Sequence, residues 1–298
     1  MAKNNTPLRY PGGKQKLAPF IMEILSCNSI TDNYAEPFAG GAGVAIELLL
    51  NKKIKNIHLN DSDIGIYAFW HCVKNENEKL CRNITTASLT IEEWKRRKYI
   101  IQHPQDYDLF ELGYSVFYLN RCNRSGVLSA GVIGGLSQSG NYKMDARFPR
   151  NELIRRVEAI GLFAESISIT NMDAEVYIQD YVSHLSSNTL VYLDPPYYYK
   201  SKALYLNSYE NNDHLELSLS IKNNIKQPWV LSYDAVSEII NLYSDRRYFI
   251  YDLQYSASRS YIGKEIFIFG DHVEIPTKSR LQNIQSALEL ITSDSLSI

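Results

Sequence analysis

The tetrapeptide Asp194-Pro195-Pro196-Tyr197 directly follows the apolar run Thr189–Leu193. Two successive prolines can extend neither a ladder nor a helix, so a strand over Thr189–Leu193 must stop there. The acid is thereby left at the carboxyl edge of a sheet, where α/β folds bind their ligands. A second cluster is Gly40-Gly41-Ala42-Gly43, between a short strand-like segment and a helix-like one. Backbone that must approach a ligand closely needs residues without Cβ, and the following helix N-terminus favours a negative group. Asp61 lies 18 residues beyond Gly43, the spacing at which nucleoside-binding folds place an acid on ribose hydroxyls. A dinucleotide fingerprint is excluded, because Gly41-Ala42-Gly43-Val44-Ala45 runs into Ile46 rather than a third glycine or alanine. A phosphate loop is excluded too: Gly12-Gly13-Lys14 lacks the preceding spacing, and Gln15 follows the lysine.

The elements needed to hold these residues can be read in order. Asn33–Phe38 reads as a strand, Val44–Leu50 as a helix, Ile54–Leu59 as a strand and Ile64–Val73 as a helix, which together make a βαβ unit. Residues 75–156 differ, with helix-like pieces, a Gly/Ser-rich run over Ser125–Gly140 and many basic side chains. From about 157 the alternation resumes. Ser166–Thr170, Thr189–Leu193 and Trp229–Ser232 read as strands, Asn212–Asn224 and Ala235–Tyr243 as helices. Tyr248–Tyr251 and Glu265–Phe269 read as closing strands. The expectation is one α/β domain over 1–74 and 157–298, interrupted by a small, mainly helical domain over 75–156.

Composition fits that organisation. The 298 residues are 45% hydrophobic and 21% charged, values of a globular chain with a real core rather than of a disordered one. Apolar runs such as Ile46–Leu50 and Ile266–Phe269 are far too short to span a bilayer. No signal peptide is visible, so a cytoplasmic protein without membrane partners is expected. The four cysteines and the six histidines, including His58 on a strand, show no metal-ligand spacing and are read as structural or surface groups. The net charge of −2 hides an asymmetry: residues 91–156 hold 11 Lys and Arg against 7 Asp and Glu. That segment suits phosphate binding, although a solvated basic face accounts for it equally well. Tyrosine occurs 22 times, and Tyr197, Tyr198, Tyr199, Tyr205 and Tyr209 cluster beside the acid.

Taken together, these motifs resemble the Dam-like DNA adenine-N6 methyltransferases that use S-adenosyl-L-methionine. The resemblance rests, in family order, on Pro7-Leu8-Arg9-Tyr10-Pro11-Gly12-Gly13-Lys14, Glu36-Pro37-Phe38-Ala39-Gly40-Gly41-Ala42-Gly43 and Leu59-Asn60-Asp61. It continues through Tyr118-Leu119-Asn120-Arg121, Asp194-Pro195-Pro196-Tyr197 and Gly263-Lys264-Glu265. It implies a Rossmann-like methyltransferase fold with a mixed, mostly parallel sheet, and a target-recognition domain at 75–156. It implies that Tyr10 and Lys14 contact the methionine end of the cofactor, the lysine pairing with its carboxylate. Phe38, Ala39 and Gly41 would shape the cofactor turn, Asp61 would bind the ribose hydroxyls, and Asp173 would contact the cofactor's adenine.

Asp194, Pro195, Pro196 and Tyr197 would hold the target base. An adenine amino group is a poor nucleophile, because its lone pair is delocalised into the ring. A carboxylate and the Pro195 carbonyl can accept its two N–H bonds and aim the lone pair at a methyl group, with no metal required. The base must leave the duplex to reach such a site. Asn120 and Arg121, from the matching motif, are candidate DNA contacts. Arg124, Lys143, Arg147 and Arg150 join them by their place in the basic segment. The partner implied is double-stranded DNA, with room for a cognate restriction nuclease. Two other readings stay open: an RNA adenine-N6 methyltransferase with the same catalytic residues, and a catalytically silent DNA-binding relative. The recognition sequence is not carried over, because Arg121-Cys122-Asn123-Arg124-Ser125-Gly126 only partly matches the GATC-specific members.

Overall fold

The computed structural model describes residues 5–9, 14–198, 211–255, 261–277 and 280. Seven strands form one sheet: β1 (Asn33–Glu36), β2 (Asn56–Asn60), β3 (Ile167–Thr170), β4 (Thr189–Leu193), β5 (Trp229–Asp234), β6 (Arg247–Tyr255) and β7 (Tyr261–Phe269). Their spatial order is β3-β2-β1-β4-β5-β7-β6. The first five are parallel, and β7 runs antiparallel to both β5 and β6. This is the mixed, mostly parallel, doubly wound sheet of a Rossmann-like fold. Strand order reverses between β1 and β4, so the segments leaving their carboxyl ends diverge and open a crevice there. The glycine turn leaves β1 and Asp194 leaves β4. The topology alone therefore brings the two sequence clusters together.

Central strands β4 and β5 are buried at every position, as expected of parallel strands covered on both faces. One apolar cluster fills one face, with Phe20, Tyr34, Ile57 and Phe267 among its members. A second cluster, with Val191, Leu193, Leu231 and Ile268, fills the other. β1 stops at Glu36, two residues short of the expected end, because Pro37 has no N–H for the ladder.

Helices α1 (Ala18–Cys27), α2 (Gly43–Leu50) and α3 (Ile64–Asn75) flank the first cluster. The segment between the halves contains α4 (Asn77–Thr86), α5 (Ile91–Gln102), α6 (Leu109–Cys122) and α7 (Arg150–Gly161). Its side chains Trp94, Phe117 and Leu153 belong to the first cluster. Gly113 of α6 lies so close to α3 that a Cβ there would come within 2.3 Å of the Ala68 carbonyl. The expected boundary at 156 falls inside α7, which continues to Gly161. The chain returns through α8 (Ala174–Asp180), α9 (Asn211–Asn224) and α10 (Ser237–Leu242).

Candidate active site

The turn after β1 is held from several sides. Gly40 and Ala42 both adopt left-handed backbone, φ 45° and 44°, an easy conformation for glycine and a strained one for alanine. The Ala39 N–H donates to the Asn60 carbonyl at 2.8 Å, and the Gly40 N–H donates to Asp61 Oδ2 at 2.8 Å. Trp70 Nε1 donates to the Gly40 carbonyl at 2.9 Å, and the Thr6 hydroxyl to that of Gly41 at 2.6 Å. A Cβ on Gly43 would lie 3.1 Å from Gln15 Cβ, so the 3-10 helix Lys14–Leu17 rests on the turn.

Asp61 Oδ1 accepts a further N–H, from Asp63, at 3.0 Å. Burial pushes its carboxyl up to about 7 against the opposing pull of these two N–H groups. Each carboxylate oxygen has two lone-pair sites, so both can still accept a hydroxyl. A nucleoside diol fits that donor-poor, acceptor-rich edge. The buried Asn60 ties three loops together. Its Nδ2 donates to the Pro37 and Met172 carbonyls at 3.1 and 3.0 Å, and its Oδ1 accepts from the Met172 N–H at 3.0 Å. Asp173 stands just beyond, exposed, accepting the N–H groups of Glu175 and Val176 as the N-cap of α8. Phe38 is half-buried against the second cluster, and Ala39 and Gly41 are buried. Tyr10 lies outside the described residues.

Across the crevice, the Ser232 hydroxyl donates to Asp194 Oδ1 at 3.0 Å and itself accepts from the Tyr192 hydroxyl at 3.1 Å. Pairing of β4 with β5 fixes this contact, since Leu193 faces Leu231. Lys14 Nζ is 3.5 Å from Asp194 Oδ1 and 2.6 Å from Glu265 Oε2. It also donates to the Tyr197 hydroxyl at 2.5 Å and stands 5.0 Å from the centre of that ring. Tyr197 and Tyr251 both donate their hydroxyls to Glu265, whose carboxylate is fully buried.

Burial pushes the Asp194 carboxyl up to about 6; Lys14 opposes that rise and Glu265 adds to it. Burial would also raise Glu265, but the Lys14 ammonium and the donated hydrogen bonds hold it below its ordinary value. Burial would lower Lys14, yet the two carboxylates keep it raised. Tyr197 is only 4% exposed, packed in the second cluster rather than presented as an open platform. Pro195 is buried and Pro196 half-buried. Sequence reading missed Ser232, Tyr251 and the role of Glu265. No short-range pattern signals them, because β5, β6 and β7 meet the tetrapeptide only through sheet pairing.

The basic candidates separate in space. Asn120 is buried, accepting the Arg9 N–H at 2.7 Å and donating to the Arg9 and Gly126 carbonyls. Arg150 donates to the carbonyls of Ile84 and Ala87, each at 2.7 Å, at the C-terminal end of α4. Arg121 is 6% exposed, and its Nε finds no hydrogen-bond partner among the described residues. Burial, then the nearby Arg156, Arg9 and Arg147, pull it down to about 9. Lys143 and Arg147 are exposed. Arg124 lines an open cleft of about 410 Å³ with Trp94, Lys95, Val132 and Leu136. His58 is held by the Tyr181 hydroxyl and Asn33 Oδ1 at 2.9 and 3.1 Å. Among the described residues no three His, Cys, Asp or Glu side chains gather as metal ligands would, and no helix is long and apolar enough to cross a membrane.

A doubly wound sheet with a glycine turn and the half-buried carboxyls of Asp61 and Asp194 at its switch point is an α/β architecture with its candidate site where such folds bind ligands. The chain belongs to the D12 class N6 adenine-specific DNA methyltransferase family, whose pattern it matches over residues 10–257. It is 24% identical over 220 residues to the type II methyltransferase M.MjaIII of Methanocaldococcus jannaschii, a match covering 69% of this chain and 73% of that protein. It is 29% identical over 205 residues to the modification methylase StsI of Streptococcus sanguinis, covering 64% of this chain but only 28% of that longer protein.

Among solved structures, the rRNA methyltransferase aviRa of Streptomyces viridochromogenes aligns over 87% of this chain and 86% of its own, with 11% identity and a TM-score of 0.36. Precorrin-6y C5,15-methyltransferase of Geobacter metallireducens GS-15 aligns over 83% of each chain, with 11% identity and a TM-score of 0.30. The activity that follows from the family is methylation of adenine at N6 in DNA.

Proposed function

We propose that this protein binds S-adenosyl-L-methionine in the crevice between β1 and β4 and methylates an adenine flipped out of double-stranded DNA. The observation that carries this reading is the half-exposed Asp194 carboxylate, oriented by Ser232, at the same sheet edge as the Gly40–Gly43 turn and Asp61. Bound there, the cofactor supplies an electrophilic methyl group on sulfur. Asp61 would accept its ribose hydroxyls, and the turn over Phe38, Ala39 and Gly41 would pack against it. Asp173, on the loop after β3 at the same edge, would contact its adenine. Tyr10 and Lys14 take its methionine end, the lysine leaving part of its present ion pairing to do so.

Asp194 and the Pro195 carbonyl accept the two N6 hydrogens of the target adenine, while Pro196 fixes the loop and Tyr197 meets the ring. Bound this way, the nitrogen keeps its lone pair out of the ring plane and directed at the methyl carbon. As the carbon–nitrogen bond forms and the carbon–sulfur bond breaks, nitrogen becomes positive, and the nearby carboxylate stabilises it. One N6 proton then leaves to Asp194 and on to water. Because its carboxyl sits near 6 rather than near 4, Asp194 is a competent acceptor.

We assign Arg121, Arg124, Lys143 and Arg147 to the DNA, together with Arg9 and Arg156. Arg121 is buried with an idle N–H and repelled by Arg9, Arg147 and Arg156, of which Arg156 also pairs with Glu152 at 3.2 Å, and a phosphodiester beside them would relieve that repulsion. Asn120 and Arg150 serve the scaffold under that surface. A modification enzyme of this kind protects its host from a cognate restriction nuclease, which is the second partner the reading allows. The test is transfer of labelled methyl from S-adenosyl-L-methionine to duplex DNA, single-stranded DNA and structured RNA, with the product base identified. Label in N6-methyladenine of duplex DNA is expected. Label confined to RNA would overturn the DNA reading, and no label in any acceptor would overturn the activity.

A further inference from the structure

The motif Gly263-Lys264-Glu265 ends in a carboxylate that touches neither solvent nor any surface a base could reach. An isolated buried carboxylate is costly, so its partners define what it is for. Among the described residues they come from three elements: Lys14 from the 3-10 helix Lys14–Leu17, Tyr197 from the loop after β4, and Tyr251 from β6, which faces Glu265 in the ladder. Two of these three, Lys14 and Tyr197, lie beside the acceptor of the reaction. The distances decide the arrangement. Lys14 Nζ is 2.6 Å from Glu265 but 3.5 Å from Asp194, so the ammonium belongs to Glu265 and only leans towards Asp194.

We infer that Glu265 is a positioning residue for methyl transfer: it draws Lys14 away from Asp194 and pins the Tyr197 hydroxyl, so that Asp194 stays open to accept adenine N–H groups and the ring is fixed beside them. This inference rests on the function proposed above. Without Glu265, Lys14 would close on Asp194 as a direct ion pair. It would then occupy the lone pairs the substrate needs and hold the carboxyl at a lower pKa. Charged and titratable groups facing Asp194 among the described residues are Lys14, Glu265, Tyr192, Tyr251, Tyr34 and Glu36. Of these, Glu265 raises Asp194 and also restrains the cation that lowers it, so its removal acts twice in one direction.

Single-turnover methylation of unmethylated DNA, followed across pH 5 to 9, tests this. Glu265→Gln is expected to slow the transfer step about 10- to 100-fold at saturating cofactor, with DNA KM within about threefold of the parent. Its acid limb moves to lower pH, whereas Glu265→Asp recovers part of the rate. Combined with Tyr197→Phe, the losses should be less than additive, because both changes release the same hydroxyl. A folded Glu265→Gln enzyme with the parent's rate and acid limb would overturn the inference, as would full additivity. If Glu265→Gln fails to fold, Tyr197→Phe decides: a purely stacking tyrosine would leave the rate unchanged, whereas the inference requires a loss of about tenfold or more. An active parent with unchanged variants sinks only the role of Glu265; an inactive parent sinks the proposed function with it.

Discussion

Asp194 has two demands on it that pull apart. As the proposed acceptor it must be ionised to take N–H bonds from the adenine amino group, yet basic enough to take a proton once nitrogen has been methylated. Burial supplies the second and Lys14 the first, which leaves the carboxyl near 6. Asp194→Ala should lose transfer by several orders of magnitude while still folding and binding cofactor, because the residue is half-exposed at a loop and fills no core. Asp194→Asn keeps one acceptor but loses the charge, and its amide would face the adenine amino group donor to donor. Loss of a charged hydrogen bond costs about 1.5–3 kcal/mol and an opposed donor adds more, so a residual rate of about 1% or less is expected. Single-turnover kinetics beside a cofactor titration would separate the two effects. An Asn variant that keeps a tenth or more of the parent rate would argue that charge at this position does not matter.

Elements position these residues with differing transparency. The strand over Thr189–Leu193 and the acid at its end were legible, because unbroken burial and two prolines leave no other reading. The closing hairpin was underestimated. Its strands run over Arg247–Tyr255 and Tyr261–Phe269, well beyond the expected apolar stretches. Polar residues such as Asp252, Gln254 and Lys264 interrupt the apolar pattern there, while the antiparallel pairing continues through them. Glu265 opens the expected strand Glu265–Phe269, but its partner Lys14 lies 251 positions away, and no local pattern reports a contact of that reach. The α3–α6 contact was equally silent, since glycine within a helix reads as a weak point. In place it allows the helices to touch. Gly113→Ala would put a methyl group 2.3 Å from the Ala68 carbonyl and 2.7 Å from Cys72 Sγ. Overpacking of this kind costs about 1–3 kcal/mol, readable as a lower denaturant midpoint. An unchanged midpoint would mean that α6 can slide freely on α3.

At the scale of the whole molecule, the basic residues of the inserted segment act collectively, and the structure divides them. Arg147→Gln and Lys143→Gln should each lower the slope of log affinity against log salt by about one. Arg150→Gln should leave that slope alone and instead lower stability, because its guanidinium holds carbonyls at the end of α4. Filter binding across a salt series distinguishes them, and a reduced slope for Arg150→Gln would reassign it to the DNA surface.

Three carboxyls around the crevice, Glu36 buried and Asp61 and Asp194 half-buried, give the fold a pH dependence opposite to that of catalysis. Burial lifts Glu36 to about 8, Asp61 to about 7 and Asp194 to about 6. A carboxyl that holds its proton more tightly in the folded chain contributes stability in full below its unfolded pKa near 4, and loses it as pH rises through the folded value. Glu265 is shifted the other way, and its contribution is lost only as pH falls below the ordinary carboxylate range. His58, which burial pulls down to about 4, and His214, also lowered, favour the fold as pH rises, but only up to their unfolded value near 6.5; across pH 5 to 8.5 the three raised carboxyls outweigh them, and the unliganded protein should melt lower at the alkaline end, by roughly several degrees. Methyl transfer should rise over the same interval as Asp194 ionises. Asp61→Asn removes one of the raised groups while keeping its size, and should flatten the melting profile between about pH 5 and 7. Thermal unfolding of parent and variant across that range checks the sign. A parent that melts higher at pH 8.5 than at pH 5.5 would show that these carboxyls are already ionised in the folded protein, and that the crevice is wetter than its burial implies.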